Sequence, residues 1–272
     1  MPWFDGSRGR VHHDAWLPDG QVRSVVVFLH GFGEHLGLYD AFARRLTADG
    51  HAVHALDCVG HGRSDGERGE MLWEAYVPDA LALLRIATDR HPGVPVILAG
   101  HSGGALAAFL VAVGDPCLAD GLVLSGAPLR PLDWVHQALS GATDHDEGLD
   151  PTTLLSTHPD YVHALMHDPL VYEGAMPRRM LESLAEQWRD VEEALAFGRP
   201  DVPTLLVSGE LDPVVPLAVS EEVAERLPQS TLRVFAGDLH DVLNEHDRDD
   251  VHNVVAAFVN GVSAPGVIRI NA

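Results

Sequence analysis

The chain has 272 residues, of which 46% are hydrophobic, and its 40 acidic against 18 basic residues give a formal net charge of −22. All 18 basic residues are Arg, and the absence of Lys excludes a Walker A phosphate loop, a Schiff-base lysine and a lysine general base. The acidic surface argues against nucleic acid as a partner and against anionic bilayers, because both need a basic surface. Either a GC-rich genome or a salt-adapted surface explains this composition.

Strands and helices are predicted in alternation along most of the chain. Residues 4–21 are predicted to be irregular or to form short antiparallel strands around a turn at 18–20. Beyond them, continuous apolar runs indicate strands covered on both faces. The predicted strands are 24–29, 52–56, 94–100, 122–124, 204–207 and 232–235. The predicted helices are 39–49, 74–91, 105–110, 217–227 and 250–259. Repeated β–α units imply an α/β protein with a mostly parallel sheet and helices on both faces.

One stretch interrupts this alternation. No strand is predicted between residues 129 and 198, where 152–155, 161–166 and 176–196 have helical character. We therefore predict a core in two parts, 1–128 and 199–272, with a helical cap at 129–198. The apolar stripe of 176–196 (Met180, Leu181, Leu184, Trp188, Val191 and Leu195) would either line a ligand site or pack the cap onto the core. Packing is the more common use of such a stripe.

The cysteines and the N-terminus bear on the cellular compartment. Cys58 and Cys117 do not make a disulfide framework, so we expect free thiols in a reducing environment. No secretory signal is visible at the N-terminus, and no apolar run reaches the length of a membrane span. A cytoplasmic location is therefore expected.

Ser102 is the strongest candidate for a catalytic residue. It lies in the sequence Gly-His-Ser-Gly-Gly at 100–104, between a predicted strand and a predicted helix. The pattern G-x-S-x-G in this context is typical of a nucleophile elbow, a sharp turn that exposes the serine hydroxyl. The small residues on both sides let strand and helix approach closely.

A serine nucleophile needs a base, and the base needs a carboxylate that orients it. In doubly wound hydrolases these partners follow in the order acid, then histidine, on loops after late strands. Asp212 and His240 occupy such positions, each just after a predicted strand. The rival acids are Glu210 and, at greater distance, Asp238 and Asp241.

Two backbone amides must stabilise the oxyanion that forms on an attacked carbonyl. One is expected from Gly103, the residue after the nucleophile. The second is expected from Phe32, in the glycine-containing loop that follows the strand at 24–29. The alternative for this loop is an ordinary glycine-rich turn.

Four segments together resemble the monoacylglycerol lipase and lysophospholipase group of α/β-hydrolases. They are His-Gly-Phe-Gly-Glu-His at 30–35, the segment 57–68 with Gly-His-Gly-Arg-Ser at 60–64, Gly-His-Ser-Gly-Gly at 100–104, and His-Asp-Val-Leu-Asn-Glu at 240–245. The stretches 168–172 and 209–215 resemble the cap and acid loop of the family. The similarity extends over most of the chain, from about residue 25 to residue 258.

This resemblance implies the α/β-hydrolase fold, a catalytic triad of Ser102, Asp212 and His240, and an oxyanion hole from Phe32 and Gly103. It also implies a mobile cap over an acyl pocket. The chain departs from the family at Gly103, where a bulky residue, often Met, is usual. We expect the missing side chain to widen the floor of the pocket or to loosen the turn.

The resulting hypothesis is a serine hydrolase of small acyl esters, most simply monoacylglycerol-type or lysolipid esters. The serine nucleophile also fits a peptidase, lactonase, thioesterase or acyltransferase on the same fold, and a non-catalytic interaction protein is a distant alternative. No cofactor is expected. No metal is expected either, because the sequence contains neither an H-E-x-x-H motif nor a paired-Cys motif. Transient contact with lipid aggregates through the cap is the expected partner interaction, beside the ester substrate.

Overall fold

The computed structural model describes residues 2–141 and 150–264. Within these ranges, eight strands form one sheet in the order β1-β2-β4-β3-β5-β6-β7-β8. The strands are β1 (Trp3–Gly6), β2 (Gly9–Trp16), β3 (Ser24–Leu29), β4 (His51–Leu56), β5 (Val96–His101), β6 (Gly121–Ser125), β7 (Thr204–Gly209) and β8 (Ser230–Phe235). From β4 to β8 all neighbouring strands are parallel, so the predicted α/β fold with a mostly parallel sheet is confirmed.

Helices cover both faces of this sheet, as predicted. They are α1 (Asp40–Ala48), α2 (Trp73–Arg90), α3 (Gly103–Gly114), α4 (Asp133–Ser140), α5 (Pro151–Leu154), α6 (Pro159–His167), α7 (Arg178–Ala196), α8 (Leu217–Arg226) and α9 (Arg248–Val262). Successive residues of β3 alternate between two apolar cores, with Val25 and Val27 in one and Val26 and Phe28 in the other. Helices α2, α3 and α7 pack on the first core, and α1 and α9 pack on the second.

The N-terminal strands correct one prediction. Short antiparallel strands do form, but β1 and β2 turn at Ser7 and Arg8 rather than at residues 18–20. Strand β2 then pairs antiparallel with β4 and extends the sheet beyond its parallel part. The turn signal at 18–20 instead falls in the connection that leads from β2 into β3.

The stretch predicted as a cap holds helices α4 to α7, and its described residues contain no strand. Pro159 is the first residue of α6 and Pro177 precedes α7, positions at which the missing proline N–H costs no helical hydrogen bond. Helix α4 was not predicted. The boundaries at 128/129 and 198/199 stay a prediction, and part of the cap, 142–149, lies outside the described residues.

The apolar stripe of α7 packs the cap onto the core. Its six residues are all buried in the first core, and none of them lines the cavity described below. The Trp188 indole N–H also donates to the Pro128 carbonyl oxygen (2.9 Å), which ties α7 to the chain that follows β6. No helix in the described part of the chain is long and apolar enough to cross a membrane.

Removing the Trp188 side chain is expected to weaken the fold strongly. The indole is 5% exposed, so Trp188→Ala should lower the free energy of unfolding by about 3–5 kcal/mol through lost burial and the cavity left behind. Phe197→Ala, just after α7 at a residue 71% exposed, is the matched control and should cost less than about 1 kcal/mol. Urea unfolding of both variants measures this difference, and similar losses would show that α7 is not fastened through Trp188.

Candidate active site

Ser102 lies at the single residue that separates β5 from α3. Its φ is 50° and its ψ is −122°, and it is the only non-glycine residue in the described ranges with a positive φ. Such a conformation costs on the order of 1–3 kcal/mol and persists only where its surroundings enforce it. The Ser102 N–H donates to the Ser125 carbonyl oxygen at the end of β6 (2.8 Å), which fixes the turn.

The two outer glycines of the G-x-S-x-G motif are required by close packing of backbone. A Cβ atom at Gly104 would collide with the carbonyl oxygens of Leu29 and His30, and one at Gly100 would collide with the Gly104 carbonyl. Helix α3 therefore starts in direct contact with β3, and this contact directs the Ser102 side chain out of the sheet edge.

The structure brings Ser102, His240 and Asp212 together in one hydrogen-bonded row. Nε2 of His240 lies 2.9 Å from Oγ of Ser102, and Nδ1 lies 2.7 Å from Oδ2 of Asp212. The other carboxylate oxygen of Asp212 accepts the N–H groups of Val214 (2.8 Å) and Val215 (2.9 Å). The carboxylate is thereby held with one oxygen directed at the histidine.

The rival acids have other contacts. Glu210 is exposed and accepts the Gly237 N–H (3.1 Å). Burial raises the pKa of Asp238 to about 8, and Asp247 beside it adds to this shift. Asp241 is buried but binds Tyr39 and Asn244 rather than the His240 ring.

His240 is only 2% exposed, and its environment favours the protonated ring. Burial acts to lower the pKa of His240, but the carboxylate of Asp212, with Asp241 further away, outweighs burial and raises that pKa above its ordinary value. The neighbouring His101 ring, 4.7 Å from the His240 ring between centroids, behaves in the opposite way. Burial lowers the pKa of His101 to about 4, so this ring is neutral and does not compete for the proton.

The loop at 30–35 places Phe32 beside the serine. The Gly31 N–H donates to Oε2 of Glu34 (2.7 Å), which bends the loop, and Gly31 and Phe32 both line the cavity above Ser102. Gly33 has a positive φ of 81°, and its carbonyl accepts the Tyr172 N–H (2.8 Å). Gly103 is the first residue of α3, so its N–H has no partner within the helix.

Gly103 corrects the expectation of a wider pocket floor. A Cβ atom at this position would lie 2.7 Å from Sδ of Met71 and 3.2 Å from the Trp73 ring, and neither residue lines the cavity. The space of the missing side chain is therefore filled by Met71, which is fully buried. The Trp73 indole N–H also donates to the Gly103 carbonyl (3.1 Å), which holds the turn. Sequence reasoning could not find Met71, because nothing in the motif at 100–104 points to residue 71.

A cavity of about 470 Å³ lies over Ser102 between core and cap. On the core side it is lined by the loop at 31–34, His101, Val214 and His240. The apolar residues that line it from the cap are Leu155, Leu165, Met166, Val171 and Met176. Its size and apolar lining fit a small ligand with a hydrocarbon part.

One group of side chains in the described residues has the spacing of a metal site. Glu34, His101 and Asp241 are buried, and one potential ligand atom of each lies within 4.8 Å of the others. Protein donors already engage both Glu34 oxygens and one Asp241 oxygen, so we assign this group to the hydrogen-bond network instead. Glu34 is the functional candidate that sequence reasoning missed, although it stands in the motif at 30–35.

Comparison with known proteins agrees with this geometry. Residues 20–247 match the family described as serine aminopeptidase, S33. The chain is 32% identical over 268 residues to a monoacylglycerol lipase from Mycolicibacterium smegmatis, a match that covers 94% of this chain and 95% of the relative. It is 30% identical over 245 residues to human monoglyceride lipase, covering 83% and 78% of the two chains. The structure of the monoacylglycerol lipase from Paleococcus ferrophilus superposes with a TM-score of 0.78 at 26% identity, over 93% of this chain and 99% of that one.

A mostly parallel sheet with a serine at the strand–helix turn defines the protein as an α/β-hydrolase. The chain belongs to the S33 serine hydrolase family and, within it, to the monoacylglycerol lipase-like ester hydrolases.

Gly103→Ala tests whether Met71 fills the space beside the elbow. We expect a loss of about 1–3 kcal/mol in the free energy of unfolding, because the new methyl group overpacks against Met71. In the double variant Gly103→Ala/Met71→Ala, the measured loss should be smaller than the sum of the two single losses. The smaller side chain at residue 71 leaves room for the new methyl group. Gly114→Ala, at the exposed end of the same helix with open space around it, is the control and should not destabilise the protein. Additive losses in urea unfolding would contradict the assignment.

Proposed function

We propose that the chain hydrolyses monoacylglycerol-type esters through a covalent acyl-enzyme on Ser102. The observation that carries this proposal is the row formed by Ser102, His240 and Asp212, with distances of 2.9 and 2.7 Å, beneath a largely apolar cavity. The geometry has a base within reach of the hydroxyl proton and a buried carboxylate that orients the base.

In the proposed reaction, His240 Nε2 accepts the hydroxyl proton while Ser102 Oγ attacks the ester carbonyl carbon. The backbone N–H groups of Phe32 and Gly103 stabilise the negative oxygen of the tetrahedral intermediate. His240 then gives the proton to the leaving alcohol, and the acyl group remains on Ser102. Water, deprotonated by the same histidine, attacks the acyl-enzyme and releases the carboxylic acid. Asp212 stabilises the imidazolium in both halves of the reaction.

The cavity supports a substrate with one hydrocarbon chain. Its cap side carries the apolar side chains, so we assign the acyl chain to that side and the ester carbonyl to the space between Phe32 and Ser102. The relatives named as monoacylglycerol lipases support the same substrate class. Met166 lines the cavity and is 53% exposed, which makes it our candidate for transient contact with a lipid aggregate.

Ester turnover by wild type and by Ser102→Ala tests this function. We expect wild type to hydrolyse monoacylglycerols and nitrophenyl esters and the variant to lose covalent catalysis. Ser140→Ala, an exposed serine at the end of α4, is the matched control and should keep full activity. Faster turnover of aminoacyl amides than of any ester would favour a peptidase, and turnover that survives in Ser102→Ala would reject the nucleophile.

The pH dependence of kcat/KM tests the base. His240 acts only when neutral, and its raised pKa means that activity should be lost as pH falls through a value above the ordinary 6.5 of imidazole. Asp212→Asn removes the attraction that raises this pKa, so the acid limb should move to lower pH while kcat falls by roughly 10⁴-fold. An acid limb that does not move in Asp212→Asn would contradict the pairing of Asp212 with His240.

A further inference from the structure

Glu34 is a buried carboxyl group directly behind the nucleophile that the proposed reaction does not use. It is 2% exposed and accepts three hydrogen bonds. Its Oε2 accepts the Gly31 N–H (2.7 Å) and the Tyr39 hydroxyl (2.7 Å), and its Oε1 accepts the Tyr161 hydroxyl (2.8 Å). Burying a carboxyl group costs desolvation free energy, and a buried carboxyl with several hydrogen bonds orders the groups that donate them.

The three donors come from different parts of the molecule. Gly31 immediately precedes Phe32, whose amide is the proposed oxyanion donor. Tyr39 precedes α1 in the core, whereas Tyr161 belongs to α6 of the cap, 127 residues beyond Glu34 in the chain. One carboxyl group therefore binds the cap and the backbone of the loop at 30–35, here called the oxyanion loop, at the same time.

Asp241, the residue directly after His240 in the loop that follows β8, joins the same network. Its Oδ2 accepts a hydrogen bond from the Asn244 side-chain amide (2.9 Å) and lies 3.3 Å from the Tyr39 hydroxyl oxygen, whose single proton has Glu34 as its nearer acceptor. The Asp241 N–H donates to the Leu155 carbonyl oxygen of the cap (2.8 Å), so the cap contacts this loop as well.

Two acids so close in a buried site do not both ionise readily. Burial, followed by the negative charge of Asp241, raises the pKa of Glu34 to about 8. The titratable groups that face Glu34 are Tyr39, Tyr161, His101, Asp241 and His240. Burial and the charge of Asp241 therefore both favour the protonated form of the Glu34 carboxyl behind Ser102.

We propose that Glu34 is a positioning residue that couples docking of cap helix α6, through Tyr161, to the shape of the oxyanion loop, through Gly31. The proposal rests on the function proposed above. With α6 docked, the Tyr161 hydroxyl fixes the carboxyl, and the carboxyl fixes the Gly31 amide so that the next amide, that of Phe32, points into the site. With α6 undocked, the carboxyl loses one donor and the loop loses its support.

A double-mutant cycle on kcat/KM tests this coupling. Tyr161→Phe removes only the hydroxyl and should reduce kcat by about 3- to 10-fold, the effect of one ordinary hydrogen bond, with KM within about twofold of wild type. Glu34→Ala should reduce kcat by roughly 100-fold, as loss of an oxyanion donor does. Tyr161→Phe added to Glu34→Ala should have a much smaller effect than in wild type, because the nearest acceptor of the hydroxyl is absent and only the contact with Asp241 remains. His163→Ala, on the exposed face of the same helix, is the control and should not change either constant.

The alkaline side of the pH profile tests the same residue without depending on stability. When Glu34 loses its proton, a second negative charge appears behind the forming oxyanion, so wild-type kcat should fall as pH rises past about 8. Glu34→Gln mimics the protonated carboxyl, and it should keep activity near neutral pH and lose this alkaline decline. If Glu34→Ala does not fold, the pH profile of Glu34→Gln and the kcat of Tyr161→Phe test the role of Glu34.

Hydrogen exchange over residues 159–167 provides a readout that is independent of catalysis. Exchange should become faster in Tyr161→Phe and stay unchanged in His163→Ala. Wild type without any ester turnover would reject the proposed function itself. Two results would overturn the role of Glu34 alone, provided that wild type turns over esters normally. One is that the effects of Tyr161→Phe and Glu34→Ala on kcat/KM multiply in the double variant. The other is that Glu34→Gln shows the same alkaline decline of kcat as wild type.

Discussion

The strained backbone at Ser102 is the constraint on which the rest of the site depends. The chain must turn from β5 into α3 at one residue, with φ 50°, and the surrounding contacts must supply the energy that holds it there. Backbone contact between Gly104 and β3 and the hydrogen bond to the Ser125 carbonyl supply it. The serine side chain thereby reaches the carboxyl edge of the sheet, where loops after β7 and β8 bring Asp212 and His240 within hydrogen-bond distance.

The cap shares polar contacts with these loops and is more than an apolar lid. Tyr161 binds Glu34 of the loop at 30–35. Thr157 donates to Glu245, the residue directly after the short helical turn Val242–Asn244, from both its N–H (3.0 Å) and its hydroxyl (3.1 Å). The Leu154 carbonyl oxygen accepts the His240 N–H itself (3.3 Å). Because His240 and the loop at 30–35 both bind cap residues, we expect cap position to influence the proposed chemical step as well as access.

The features that could be predicted from sequence are those that depend on residues close together in the chain. Apolar runs identified the parallel strands, and the position of Asp212 and His240 after late strands identified them as partners of Ser102. Helix α4 has no capping side chain and only one buried residue, so its sequence carries little signal. The Met71 contact with Gly103 and the Tyr161 contact with Glu34 join residues far apart in the chain, and such pairs exist only once the fold has brought them together.

The central claim, that Ser102 is the nucleophile of a row with His240 and Asp212, is tested most directly by mapping a covalent adduct. The protein is treated with a fluorophosphonate and digested, and the labelled peptide is identified by mass spectrometry. The account predicts one adduct, on the peptide that contains Ser102, with labelling slowed strongly by removal of the His240 ring. Labelling of a different serine, or ester turnover by a protein whose Ser102 is never labelled, would contradict it.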